Sequence, residues 1–105
     1  MSVFVAADVL LKEVSMSKLG SQIIVHGKVQ MVGFRHATAQ KAQQLGLTGH
    51  AVNLANGDVE VHAFGDKATL DELILWLRHG PDSAQVNALE ISTINVKRQA
   101  GFTTG

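Results

Sequence analysis

The chain has 105 residues and a mass of 11.2 kDa, with nine Lys plus Arg against nine Asp plus Glu and 46% apolar residues. This is the size of one folded domain with a real core. Zero net charge argues against a basic nucleic-acid-binding field, and no apolar run approaches the ~18–20 residues of a membrane span. With no Cys there is no disulfide, thiolate nucleophile or thiolate metal site, which fits a reducing cytoplasm.

Val3, Ala6, Ala7, Leu10, Leu11 and Val14 fall on one helical face, so residues 1–21 are expected to form a helical extension ahead of a domain spanning 22–105. Asp8, Lys12 and Glu13 interrupt that stripe, and no basic leader precedes it, so it does not read as a signal peptide. Strand alternation starts at Gln22, with Ile23, Val25 and Val29 on one side and Ile24, His26 and Lys28 on the other. From Phe34 the period becomes helical: Phe34, Ala37, Thr38, Ala42 and Leu45 form a stripe closed by Gly46. Two strands follow at 47–54 and 58–64, joined through Asn56-Gly57, for which a type I′ turn is expected. Asp66 is the expected N-cap of a second helix carrying Leu70, Leu73, Ile74 and Leu77, and His79-Gly80-Pro81 ends it. A last strand is expected over 85–91, with Val86, Leu89 and Ile91 in the core, and a further short strand near Phe102.

The order β-α-β-β-α-β predicts an α+β two-layer sandwich of the ferredoxin-like type: an antiparallel sheet in the order 4-1-3-2 with two helices on one face. The first two strands then run parallel, and their C-terminal ends share one sheet edge. The loop after Val29 and the residues near Asn53 should therefore meet in space.

That prediction matters because of what the two segments carry. Residues 29–35 pass from a strand through a short loop into a helix, where successive N–H groups and the helix dipole favour an anion. The dipole contributes only ~0.3–1 kcal/mol, too little to hold a phosphate in water. Arg35 adds a guanidinium that can grip two phosphate oxygens, each charge-assisted bond contributing roughly 1.5–3 kcal/mol. Read on spacing alone, Arg35 could equally be a solvated helix residue, and Asn53 an ordinary turn residue. The loop also lacks the Gly-Lys-Ser/Thr of a Walker motif.

Taken together, the segments resemble a family. Gly27-Lys28-Val29-Gln30-Met31-Val32-Gly33-Phe34-Arg35 is similar to the first signature of acylphosphatases, G-x-V-Q-G-V-x-F-R. Gly49-His50-Ala51-Val52-Asn53-Leu54-Ala55-Asn56-Gly57-Asp58-Val59 is similar to their second, G-x-V-x-N-x-x-D-G-x-V. The resemblance runs from about Gln22 to Ile91, roughly two thirds of the chain. It implies hydrolysis of acyl phosphates to carboxylate and inorganic phosphate by in-line attack of water, with no metal, no other cofactor and no covalent intermediate. It assigns phosphate binding to Arg35, orientation of the water to Asn53, and the phosphate cradle to Gln30, Met31, Val32, Gly33 and Phe34. A small-molecule acyl phosphate is the implied substrate, with phosphate or sulfate suited to the site. The implied enzyme is a cytoplasmic monomer that engages neither nucleic acid nor membrane.

The sequence departs from the family at two informative places. Met31 stands where the family usually has Gly, and a negative φ is expected there, with the side chain near the pocket mouth. The ending Gly101-Phe102-Thr103-Thr104-Gly105 lacks the family's common basic finish.

Other features favour plainer readings. No pair of the five His has H-x-H or H-x-x-x-H spacing, so no zinc site is expected. His26 and His62 share outward parity, His36 reads as a surface helix residue although it could reach the rim of the site, and Trp76 reads as packing. The competing class is a binding module on the same fold, or an inactive relative that only binds phosphate. RNA recognition would need aromatics on the open sheet face, where Phe64 is the one aromatic among Ile24, His26, Lys28, Glu60 and His62.

Overall fold

The structure is a computed structural model that describes residues 18–105. The helical stripe at residues 3–14 lies outside the described residues. Strand β1 is Leu19–Lys28, helix α1 Phe34–Gln44, β2 Thr48–Asn53, β3 Val59–Gly65, α2 Lys67–Leu77, β4 Gln85–Ile94 and β5 Phe102–Thr103. The sheet order is β4-β1-β3-β2-β5. Strands β1 and β2 are both antiparallel to β3, so they run parallel to each other, and β5 adds parallel to β2. This is the predicted 4-1-3-2 sheet with one strand more.

The two helices bury their stripes against one face of the sheet. Phe34, Thr38, Ala39 and Ala42 of α1, with Leu70, Leu73 and Leu77 of α2, meet Ile23, Val25, Ala51, Val59, Val61 and Ala63. Each fully buried Val, Leu, Ile or Phe contributes roughly 1.5–3 kcal/mol of transfer free energy, so this layer holds the fold together. Helix α1 ends as its sequence predicts. Gly46 adopts φ 73°, and the Leu47 amide reaches back to the Ala42 carbonyl at 2.9 Å.

Several expectations change. Strand β1 begins at Leu19 rather than Gln22, because its N-terminal half pairs with β3 and β4 as far as Gly20 and Leu19. Ile91 shares the core-facing side with its partner Ile23, yet it is 46% exposed: β4 is the sheet edge, and of its expected core residues only Val86 and Leu89 pack, partly buried, against the core. Phe64 has outward parity but is 3% exposed; Val96, Arg98 and Gln99 of the segment after β4 line one cavity with it. Asp66 occupies the N-cap of α2, but its side chain makes no capping bond.

The β2–β3 connection is not type I′. Asn56 keeps a negative φ and only Gly57 is left-handed, at 98°. The Gly57 amide donates to the Leu54 carbonyl at 3.2 Å, and the Leu54 amide to the Asp58 carbonyl at 2.9 Å. That is the pattern of a three-residue hairpin loop, a turn followed by one left-handed residue. Asn56 adds a local tie, its Oδ1 accepting from the Asp58 amide at 3.0 Å.

Candidate active site

Between the end of β1 and the start of α1, residues 30–33 must redirect the chain from the sheet into the helix layer. They do so with two left-handed residues, Met31 at φ 63° and Gly33 at φ 75°. The expected negative φ at Met31 is therefore wrong. Left-handed residues spaced in this way curl a loop so that its N–H groups converge, which is the geometry of an anion nest. A side chain in that region costs ~1–2 kcal/mol, and Met31 is fully exposed, so no packing of its own offsets the strain. Among the described residues, no backbone carbonyl accepts from the amides of Met31, Val32 or Gly33. These donors are left for solvent or a ligand.

Three contacts hold the loop. The Gln30 side chain donates through Nε2 to the carbonyls of Leu54, at 2.7 Å, and Asp58, at 2.8 Å. Ser83 Oγ donates to the Val32 carbonyl at 2.7 Å. The buried Phe34 ring packs tilted against Trp76, with centroids 6.2 Å apart. It also lies over Gly80, where an added Cβ would come within 2.7 Å of Phe34 Cε2. The first turn of α1 is thus fastened to the β2–β3 turn, the α2–β4 connection and the core.

Arg35, the second residue of α1, is half-buried, and its Nη1 donates to the Thr104 carbonyl at 2.7 Å. Asn53, the last residue of β2, is exposed. Because β1 and β2 run parallel, both reach the same sheet edge. Val29, Met31, Gly33, Phe34, Arg35, His36, Asn53 and Thr104 line a single cavity of about 160 Å³ there. Among the described residues, no carboxylate side chain lines it to neutralise the Arg35 charge.

Five of the seven predicted site residues therefore meet around one cavity: Arg35, Asn53, Met31, Gly33 and Phe34. Gln30 and Val32 do not line it. The Gln30 amide group is engaged with the hairpin carbonyls, and the half-buried Val32 packs against the core. Sequence reasoning missed Thr104, because nothing local signals that residues 102–103 pair with β2 and bring the following carbonyl to Arg35. His36, expected on the helix surface, is exposed and also lines the cavity.

The family model for acylphosphatase matches residues 21–104. The chain belongs to the acylphosphatase family. An acylphosphatase of Vibrio cholerae is 55% identical over 71 residues, covering 68% of this chain and 78% of its own length. One of Vibrio parahaemolyticus is 46% identical over 81 residues, covering 77% of this chain and 90% of its own. The solved acylphosphatase of Coxiella burnetii superposes with a TM-score of 0.81 at 36% identity, covering 84% of this chain and 93% of that one. The activity of the family is hydrolysis of acyl phosphates, and the chain is accordingly a hydrolase acting on an acid anhydride. Among the described residues, no helix is long and apolar enough to cross a membrane.

Proposed function

We propose that acyl phosphate is hydrolysed in the cavity between residues 29–36 and Asn53, with Arg35 and the loop amides binding the phosphoryl group and Asn53 orienting the water. The observation that carries this reading is the meeting of Arg35 and Asn53 in one cavity, beside a left-handed loop with unpaired amides. The chemistry requires a donor-rich pocket. Transfer to water spreads negative charge over the three non-bridging oxygens, and preorganised donors there lower the barrier. Arg35 supplies charge and a planar fork, while the amides of Met31, Val32 and Gly33 supply dipoles that need no reorganisation.

An amide such as that of Asn53 is too weak a base to deprotonate water, but its oxygen can accept one hydrogen bond and fix the line of attack. The proton then passes to a phosphoryl oxygen of the substrate. The phosphorus–oxygen bond to the acyl group breaks, releasing carboxylate and inorganic phosphate. No covalent enzyme intermediate and no metal is required by this route. The same reading takes the enzyme as a cytoplasmic monomer with phosphate as product ligand.

The test is hydrolysis of benzoyl phosphate at neutral pH in excess chelator. Activity should survive chelation. Arg35→Ala and Asn53→Ala should each lower kcat/KM by about 10²–10³, the usual loss for one preorganised transition-state donor. Full activity in either folded variant would overturn the assignment.

A further inference from the structure

The opposite face of the sheet carries a side-chain cluster that the phosphate chemistry does not use. His62 and Glu60 sit two residues apart on β3 and so project from the same side, away from the helices. The β2–β3 register places His50 directly across from His62, with ring centroids 4.6 Å apart. His50, Glu60 and His62 each offer one ligand atom, and the three atoms lie within 4.8 Å of one another. We propose that His50, Glu60 and His62 form a binding site for a divalent transition metal of the Zn²⁺ class, with an open position toward solvent.

The local chemistry fits such an ion. Two imidazoles and one carboxylate form a donor set that zinc accepts, and in a tetrahedral site neighbouring donors lie about 3.3 Å apart at bond lengths of ~2.0–2.1 Å. Glu60 Oε1 already lies 3.3 Å from His62 Nε2. The other carboxylate oxygen, Oε2, accepts from Gln22 Nε2 at 3.1 Å, which turns Oε1 toward the histidines as an outer partner of a metal ligand does. His62 Nε2, the atom that faces Glu60, also lies 3.2 Å from Gln22 Nε2, a contact that an ion there would replace; binding at Nε2 puts the ring proton on the buried Nδ1, which has no hydrogen-bond partner among the described residues. Lys97 is the nearby cation that opposes the ion.

Sequence spacing does not reveal this cluster, because its histidines come from two strands and meet only through register. All three residues are half-buried on rigid strands, so little side-chain freedom remains to be lost on binding.

Equilibrium dialysis with Zn²⁺, and titration with Co²⁺ read in the visible d–d bands, test the site. One ion per chain should bind in the micromolar range or tighter. His50→Ala and Glu60→Gln should each weaken binding by about 10-fold or more, and His79→Ala should leave it unchanged. Benzoyl phosphate hydrolysis should be the same in wild type, His50→Ala and Glu60→Gln, since their side chains lie across the sheet from the cavity. Absence of Zn²⁺ binding in the wild type, or binding that survives both substitutions, overturns the proposal. Should His50→Ala fail to fold, Glu60→Gln decides alone, because it keeps the side-chain shape.

Discussion

Arg35 and Thr104 are joined by a 2.7 Å hydrogen bond from Nη1 to a main-chain carbonyl, although 69 positions separate them in the chain. The bond holds one edge of the guanidinium and leaves its other donors free for an anion. It also makes the segment after β5 a determinant of substrate binding. Truncation directly after Thr104 turns that main-chain carbonyl into a carboxylate, and charge-assisted bonds are roughly twice as strong as neutral ones. That carboxylate should compete with phosphate for Arg35. KM for benzoyl phosphate should rise about 5- to 10-fold, from a difference of ~1 kcal/mol, while the fold stays intact. An unchanged KM would show that Thr104 does not govern Arg35.

Met31 is strained without compensation, so Met31→Gly tests the cost of its left-handed backbone. The substitution removes ~1–2 kcal/mol of strain and returns ~0.5–1 kcal/mol through the added entropy of the unfolded chain. A net gain of up to about 1.5 kcal/mol is expected, visible as a Tm rise of a few degrees for a chain of this size. Turnover should persist, because the loop shape is already the one a glycine would adopt. A clear fall in Tm would show that the Met31 side chain makes a stabilising contribution of its own.

Gln30 links the phosphate loop to the hairpin by two bonds of 2.7 and 2.8 Å from one nitrogen. Gln30→Leu keeps much of the shape and removes both, leaving the Leu54 and Asp58 carbonyls without that donor. A stability loss of about 1–3 kcal/mol is expected in denaturant titration. Because the loop and Asn53 are then less firmly placed, kcat should fall more than KM rises. If only stability changed, Gln30 would hold the fold but not the reacting geometry.

The imidazole of His26 lies between two carboxylates: Nδ1 is 2.7 Å from Asp58 and Nε2 is 3.1 Å from Glu90. A neutral ring has one N–H and can satisfy only one of them. The hydrogen bond to Glu90 is the main cause that raises its pKa above the ordinary 6.5, with Asp58 adding to it against a loss from burial. The folded chain therefore holds this proton more tightly than the unfolded chain. The resulting stabilisation is complete below 6.5 and fades as pH rises through the folded value. His62 has the opposite bias, so wild-type profiles alone mix the two. The Tm gap between wild type and His26→Gln isolates the term: it should be wider near pH ~6 than near pH ~8.5. An equal gap at both would show that His26 is not held protonated.

Much of the site is legible in the sequence because its determinants are local or follow from topology. The change from period 2 to period 3.6 at Phe34 marks the strand–loop–helix passage, and the order of elements then forces Arg35 and Asn53 to one sheet edge. The turn after Asn53 was readable as a turn but not by type, since Asn56 and Gly57 are compatible with several loops and hydrogen bonding selects among them. Burial was read less well at the margins: Ile91 has core parity on an uncovered edge, and Phe64 has surface parity under a later segment.

By itself the sequence determined the split βαβ fold and the pairing of Arg35 with Asn53, because apolar periodicity fixes elements and their order fixes which strand ends are neighbours. Only the tertiary structure decided the left-handed turn at Met31, the Thr104 carbonyl at Arg35 and the His50–Glu60–His62 cluster. Each depends on strand register or chain closure between distant segments, and local patterns carry no record of either.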